Sequence, residues 1–212
     1  MLKIITIPVT LFEQNCRILW DSISNVGVVI DPGGDADKIV SEIESVGCIV
    51  KEVWLTHSHL DHCAGVVGLL HRYPVPLVAT SCEQNMRTSV CAVAAMYGLP
   101  AEEWPNCPEP ARYIQHGDVL TVGNYSAHVL ATPGHSPGHV SFYFKSEGFV
   151  VGGDALFRGS IGRTDLPGGD MSQLLASIKR ELLSLPDETR ILTGHGPDTT
   201  VEHERKTNPF LS

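Results

Sequence analysis

Thr56-His57-Ser58-His59-Leu60-Asp61-His62 places three histidines and an aspartate within six residues, directly behind the apolar run Glu52-Val53-Trp54-Leu55. If the backbone stays extended past that run, His57 and His59 point to the same side, because side chains along a strand alternate with period two. A helix starting near Ala64 then turns Asp61 and His62 onto a neighbouring position. Four metal-type ligands at this spacing suffice for two adjacent ions. A polar loop that is rich in histidine by chance is a poor match for three His and one Asp placed so close behind a strand.

Outward from this stretch, the two halves of the chain echo each other. In the first, two strands lead to Val29-Ile30-Asp31-Pro32-Gly33, then a helix, then the strand that ends in Leu55-Thr56-His57. In the second, two strands lead to Val151-Gly152-Gly153-Asp154, then a helix, then a strand that ends in Leu192-Thr193-Gly194-His195-Gly196. Each half thus delivers an acidic residue and then a histidine from strand ends. His135 lies in Thr132-Pro133-Gly134-His135-Ser136-Pro137-Gly138-His139, a tight Pro/Gly turn of the kind that fixes a side chain at a strand end. Asp154 follows two glycines, which permit close backbone approach around an ion. His135, Asp154 and His195 are each ordinary alone; together with the first cluster they point to a shared metal site.

Short β-branched runs alternate with longer helical patterns, which predicts an α/β fold. Strands are expected at Lys3–Ile7, Cys16–Trp20, Val26–Ile30, Val53–Leu55, Leu77–Ala79, Tyr125–Ala131, Val140–Phe144, Phe149–Val151 and Arg190–Leu192. Helices are expected at Ala36–Val46, Ala64–Arg72, Met86–Tyr97 and Ser172–Leu183. Four prolines between Leu99 and Ala111 mark an irregular loop. No linker composition divides the chain, which reads as a single domain over residues 1–212.

The composition narrows the function classes. The chain has 212 residues, with 42% hydrophobic and 18% charged, which is ordinary for a soluble globular protein. A net charge of −9 disfavours nucleic-acid binding, which draws on a basic surface to release phosphate counterions. The six cysteines form no CxxC pair and read as free thiols of a reducing compartment. Ile4 to Phe12 is largely apolar, but Pro8 interrupts it and no basic cluster precedes it, so it reads as a first strand. No run approaches the roughly 20 apolar residues of a membrane span. A cytoplasmic location follows as the expectation, with neither a membrane nor a nucleic acid as partner.

The ordered set THSHLDH, TPGHSPGH, GGDALF and GHG resembles the metallo-β-lactamase superfamily, and within it the short glyoxalase II-like hydrolases. The run from Gly153 to Asp170 (GDALFRGSIGRTDLPGGD) and the ending Thr193-Gly194-His195-Gly196-Pro197 … Asn208-Pro209-Phe210-Leu211 support that group. The resemblance implies an αββα sandwich, two β-sheets flanked by helices with the site at the sheet edge. It also puts His57, His59 and His135 on a first metal and Asp61, His62 and His195 on a second. Asp154 would bridge the two, and Asp31 would support the ligands. His139 is at most a supporter of ligands, and His71, His116, His128 and His203 are left as ordinary.

The implied cofactors are two divalent ions, with Zn²⁺ expected and Fe²⁺ or Mn²⁺ as alternatives, all suited to imidazole and carboxylate. Coordination lowers the pKa of bound water to about 7, so ester-like hydrolysis needs no serine or cysteine nucleophile. Cys63 therefore reads as packing. Asp61 and Asp154 are the expected catalytic carboxylates. Arg163, nine residues past Asp154 in a glycine-rich loop, is a candidate for binding substrate, against the alternative of a loop salt bridge. The expected substrate is a small thioester based on glutathione, such as S-lactoylglutathione. One departure is that 17 residues follow His195, whereas longer glyoxalase II enzymes carry a helical extension that contacts glutathione. The competing reading is a mononuclear iron persulfide dioxygenase of the same fold.

Overall fold

The computed structural model describes residues 1–211, which group into two compact units, Met1–Tyr113 with Val122–Asn124 and Ile114–Thr121 with the chain from Tyr125 on. Each unit holds one six-stranded mixed sheet and its flanking helices.

In the first unit, β1 (Leu2–Val9), β2 (Gln14–Asp21) and β3 (Val26–Ile30) form an antiparallel meander. Helix α1 (Ala36–Ser45) then carries the chain to β4 (Ile49–Trp54), which pairs parallel to β3. Next come α2 (Leu60–Cys63), α3 (Val66–Arg72), β5 (Leu77–Ala79), α4 (Gln84–Arg87), α5 (Val90–Met96) and β6 (Arg112–Tyr113), with β5 and β6 extending the parallel side. The buried stripe of α1 is Ile39, Val40 and Ile43, the one-turn spacing of an amphipathic helix. It joins Ile18, Val29, Val53 and Leu69 in one apolar cluster.

Two expected helices divide. Ala64–Arg72 is α3 preceded by the separate turn α2, and Gly65 lies at the break. A Cβ on Gly65 would stand 2.6 Å from the Pro32 carbonyl, so only glycine lets the chain pass the loop after β3. Met86–Tyr97 breaks after α4, where the Thr88 hydroxyl donates to the Gln84 and Asn85 carbonyls at 3.1 and 3.3 Å. Such a hydroxyl competes with the helical ladder.

The second unit has β7 (Val119–Val122), β8 (Tyr125–Ala131), β9 (Val140–Phe144) and β10 (Phe149–Gly153), then the small hairpin β11 (Leu156–Phe157) and β12 (Ser160–Ile161). Helix α6 (Met171–Ser177) is capped by Asp170, whose side chain accepts from Gln173 N, and runs on as a π turn to Leu182. It leads to β13 (Arg190–Thr193), parallel to β10, then β14 (Thr199–Thr200) and α7 (Val201–Thr207). Leu174, Ile178, Leu182, Val150, Ile191 and Val201 share this unit's apolar cluster. The echo read from sequence is therefore one of topology. Each unit has a meander, an acidic residue just past a strand, a helix, and a parallel strand.

Short pieces escaped the sequence. Strands of two residues carry no period, and α7 buries only Val201 and Glu204. Glu204 nevertheless organises this end of the unit. Its carboxylate accepts from Thr199 Oγ1 at 2.5 Å, Gly159 N at 2.9 Å and Asn208 Nδ2 at 2.7 Å. Asn208 in turn donates to the Ser160 carbonyl at 3.0 Å, so α7 clamps the β11–β12 turn. Glu204→Ala leaves the buried Thr199 hydroxyl without its acceptor and loosens Gly159 and Asn208, which keeps only the Ser160 carbonyl, so it should cost about 2 kcal/mol. Urea unfolding of the two proteins measures it, and a loss within experimental error would show that the clamp contributes nothing.

Candidate metal centre

The first unit gathers its ligand candidates just past β3 and β4. β4 ends at Trp54, and the turn α2 begins already at Leu60 rather than near Ala64, so Asp61 and His62 lie on a helical turn of their own. His57 and His59 stand with rings 4.7 Å apart and perpendicular, and the His57 and His62 rings are 4.0 Å apart. Ligand atoms of His57 lie within 4.8 Å of those of His59 and His62, and those of Asp61 within 4.8 Å of those of His62. His57 and His62 are buried, while His59 and Asp61 are partly exposed.

Asp31 orders this half. It sits in the left-handed region, φ 52°, at the end of β3. Its carboxylate accepts from Thr56 N at 2.7 Å and Thr56 Oγ1 at 2.6 Å, and lies 3.0 Å from His62 Nδ1. A carboxylate only accepts, so His62 carries its proton on Nδ1 and keeps its lone pair on Nε2. The Thr56 hydroxyl has given its hydrogen to Asp31, so at 3.0 Å it accepts from His57 Nδ1. That also puts the His57 lone pair on Nε2. Asp31 thus sets the tautomer of two candidate ligands. Gly33 packs on the same turn, where a Cβ would stand 1.6 Å from the Asp61 carbonyl oxygen.

The second unit brings His135, Asp154 and His195 together. His135 sits in the turn between β8 and β9, and its Nδ1 donates to the Arg163 carbonyl at 2.7 Å. This again leaves the lone pair on Nε2, which lies 3.6 Å from Asp154 Oδ2. His195 Nε2 approaches the same oxygen at 3.5 Å, and the Phe157 ring stands edge-on to it, centroids 6.1 Å apart. The backbone turns into Asp154 through Gly153 at φ 54°, and a Cβ on Gly162 would stand 1.9 Å from the Asp154 carbonyl oxygen.

These separations test whether a cation fits. At 3.5–3.6 Å the contacts exceed hydrogen-bond length. For His135 an imidazole lone pair faces a carboxylate, two acceptors with no proton to share. A cation between them removes that repulsion, and two ligands of one tetrahedral ion at ~2.1 Å stand about 3.4 Å apart. The donor set suits a divalent metal.

Some sequence expectations change in detail. The Arg163 guanidinium makes a bidentate pair with Asp165, both contacts at 2.8 Å, at an exposed position. Its main-chain carbonyl, which no sequence pattern marks, is what orients His135. His139 does more than its weak signal suggested: Asp154 N donates to its Nε2 at 3.0 Å. Cys63 is buried, and a hydrogen bond with Cys107, then desolvation, push its thiol well above the ordinary range. Thiolate is disfavoured there, in line with a packing role. His71, His128 and His203 are on exposed or half-exposed surface, and His116 accepts from Ala131 N at 3.1 Å.

The Arg163 pair has a readable titration. Arg163 holds the Asp165 carboxyl at about 2, below the ordinary 3.8. The folded value is depressed, so the pair's contribution is complete above pH ~4 and is lost as pH falls through about 2. A carboxyl-carbon NMR titration should give that low midpoint and return it to the ordinary range in Arg163→Ala. An unmoved midpoint would mean that the guanidinium does not set it.

The metallo-β-lactamase superfamily model matches residues 9–195. The hydroxyacylglutathione hydrolase GloC of Haemophilus influenzae is 37% identical, over 97% of this chain and 96% of its own. Among solved structures, BLEG-1, a B3 metallo-β-lactamase, is 33% identical with TM-score 0.91, covering 99% of this chain and all 100% of that one. TTHA1623, solved in a di-iron-bound form, is 38% identical with TM-score 0.89, covering 98% and 100%. With a strand-end cluster of imidazoles and carboxylates in each unit, the chain belongs to the metallo-β-lactamase superfamily and is one of its metal-dependent hydrolases.

Proposed function

We propose that this protein hydrolyses a glutathione thioester of the S-lactoylglutathione type. The observation that carries the reading is the near end-to-end similarity to a hydroxyacylglutathione hydrolase. In the proposed site His57, His59 and His135 would hold one ion and Asp61, His62 and His195 the second, with Asp154 as a further ligand. The family model spans both units, which supports reading them as halves of one domain over residues 1–212. Zn²⁺ is the proposed metal, with Fe²⁺ the chief alternative because a similar protein holds two irons. When bound, the ions supply a Lewis acid for the acyl carbonyl and bring the pKa of bound water to about 7.

The protein's own part is orientation and proton handling. Asp31 and the Arg163 carbonyl keep imidazole lone pairs on Nε2, where a ligand needs them. Asp61, partly exposed beside His62, takes a proton from the attacking water at its carboxylate. Water oxygen bonds to the acyl carbon, the C–S bond breaks, and the proton returns to the departing sulfur, giving acid and thiol. The leaving thiol, with a pKa near 8.5, needs little assistance, whereas an amide nitrogen needs full protonation. Arg163, exposed at the loop surface, supplies a guanidinium to a substrate carboxylate. The six cysteines are free thiols, which suits the reducing compartment proposed for this enzyme, and no described helix is long and apolar enough to cross a membrane.

The test is a kinetic comparison of S-lactoylglutathione, a simple lactone, a β-lactam and glutathione persulfide on protein of measured metal content. S-lactoylglutathione should exceed the β-lactam in kcat/KM by about 100-fold or more, without oxygen uptake. Protein holding one iron that spares the thioester and consumes oxygen with the persulfide would be a dioxygenase instead. Efficient β-lactam turnover would make it a lactamase.

Arg163→Ala should raise KM and leave metal content unchanged, because the carbonyl that orients His135 survives the substitution. Unchanged kinetics would confine Arg163 to its pair with Asp165.

A further inference from the structure

We infer that His139 is a positioning residue for Asp154, acting at the end of a directed hydrogen-bond relay that ties the two ligand-bearing turns of the second unit. The inference rests on Asp154 being a metal ligand, as proposed above. The relay runs through four buried groups. Asp154 N–H donates to His139 Nε2 at 3.0 Å, so that nitrogen is unprotonated. A neutral imidazole then carries its hydrogen on Nδ1, which donates to Thr132 Oγ1 at 2.8 Å. Thr132 passes its hydroxyl hydrogen to Ser141 Oγ at 3.0 Å, and Ser141 donates to the Gly152 carbonyl at 3.2 Å. Every donor and acceptor in the series is used in one direction.

The relay brackets Gly153 on both sides, holding the Gly152 carbonyl and the Asp154 amide. That is the place where the β10–β13 register shifts and the backbone enters the left-handed region at φ 54°. The same residues close the turn that carries His135, since Thr132 N donates to the His139 carbonyl at 2.9 Å. His139 is therefore common to both turns, and the 3.6 Å separation of His135 Nε2 from Asp154 Oδ2 depends on it. A side chain that merely filled space would not need a hydrogen-bond acceptor facing Asp154 and a donor facing Thr132.

The test uses full-length protein and three readouts. Imidazole ¹⁵N shifts of His139 in the metal-free protein at about pH 8, where histidine is ordinarily neutral, should show the Nδ1–H tautomer. An Nε2–H tautomer overturns the relay whatever the metals do. Zn²⁺ titration against a chromophoric chelator should then separate the variants. His139→Gln keeps an amide oxygen within reach of Asp154 N and should bind zinc within about threefold of wild type. His139→Asn is too short to accept there, and Thr132→Val removes the acceptor for Nδ1. Each should weaken zinc binding by about tenfold or more, whereas Thr132→Ser should not. Equal affinity in Asn, Val and wild type overturns the inference, as does a Gln variant as weak as the Asn one. Asp154→Asn is the control: if it leaves zinc affinity intact, the ligand assignment fails, and if it alone weakens binding, only the relay fails. Thermal unfolding of the metal-free variants separates a general loss of fold from loss of positioning.

Discussion

The unprotonated Nε2 of His135 facing a carboxylate oxygen of Asp154 at 3.6 Å is unfavourable without something positive between them. The second unit is built to hold that arrangement, against repulsion, through main-chain constraints. Gly153 supplies a left-handed turn, Gly162 leaves room beside the Asp154 carbonyl, and the Arg163 carbonyl fixes which His135 nitrogen faces inward. Folding energy from the apolar cluster beneath sustains a geometry that a divalent cation then relieves. The site is preorganised for charge.

The first unit meets the same requirement by another route. There one buried carboxylate, Asp31, addresses two imidazoles, His62 directly and His57 through the Thr56 hydroxyl. Asp31 occupies a strained backbone position to do so. In both units a strand ends, a turn follows, and a hydrogen bond from Nδ1 aims Nε2. The orienting groups differ, a side-chain carboxylate in one unit and a backbone carbonyl in the other. The shared element is the topology, a parallel strand reached through a helix from an acidic strand end.

Much of the framework was legible in the sequence, for a physical reason. The strands Val26–Ile30, Leu77–Ala79, Tyr125–Ala131 and Val140–Phe144 fall where β-branched and aromatic runs predict, because burial of such side chains dominates local structure. Most of what went unread lacks a period: the hairpin Leu156–Ile161, β6, β14, and a C-terminal helix held by the polar residue Glu204; β7 alternates with period two but over four residues only. The helix breaks at Gly65 and Thr88 were hidden as well. One follows from a distant loop pressing on the backbone, the other from a hydroxyl that competes for helical carbonyls.

For the site, the residue types and their order already determine the chemistry. Three histidines and an aspartate behind one strand, then single His, Asp and His residues in glycine turns, leave little but metal ligation, since donor identity is covalent information. Tertiary structure alone decides which nitrogen of each histidine is offered. His62 depends on Asp31, 31 residues away, and His135 on the carbonyl of Arg163, 28 residues away. Asp154 depends on His139, 15 residues away. A backbone carbonyl or amide is present at every position and so carries no sequence signal. Its role arises only when folding brings one of them within about 3 Å of a ring nitrogen, because hydrogen bonds act at that range and no further.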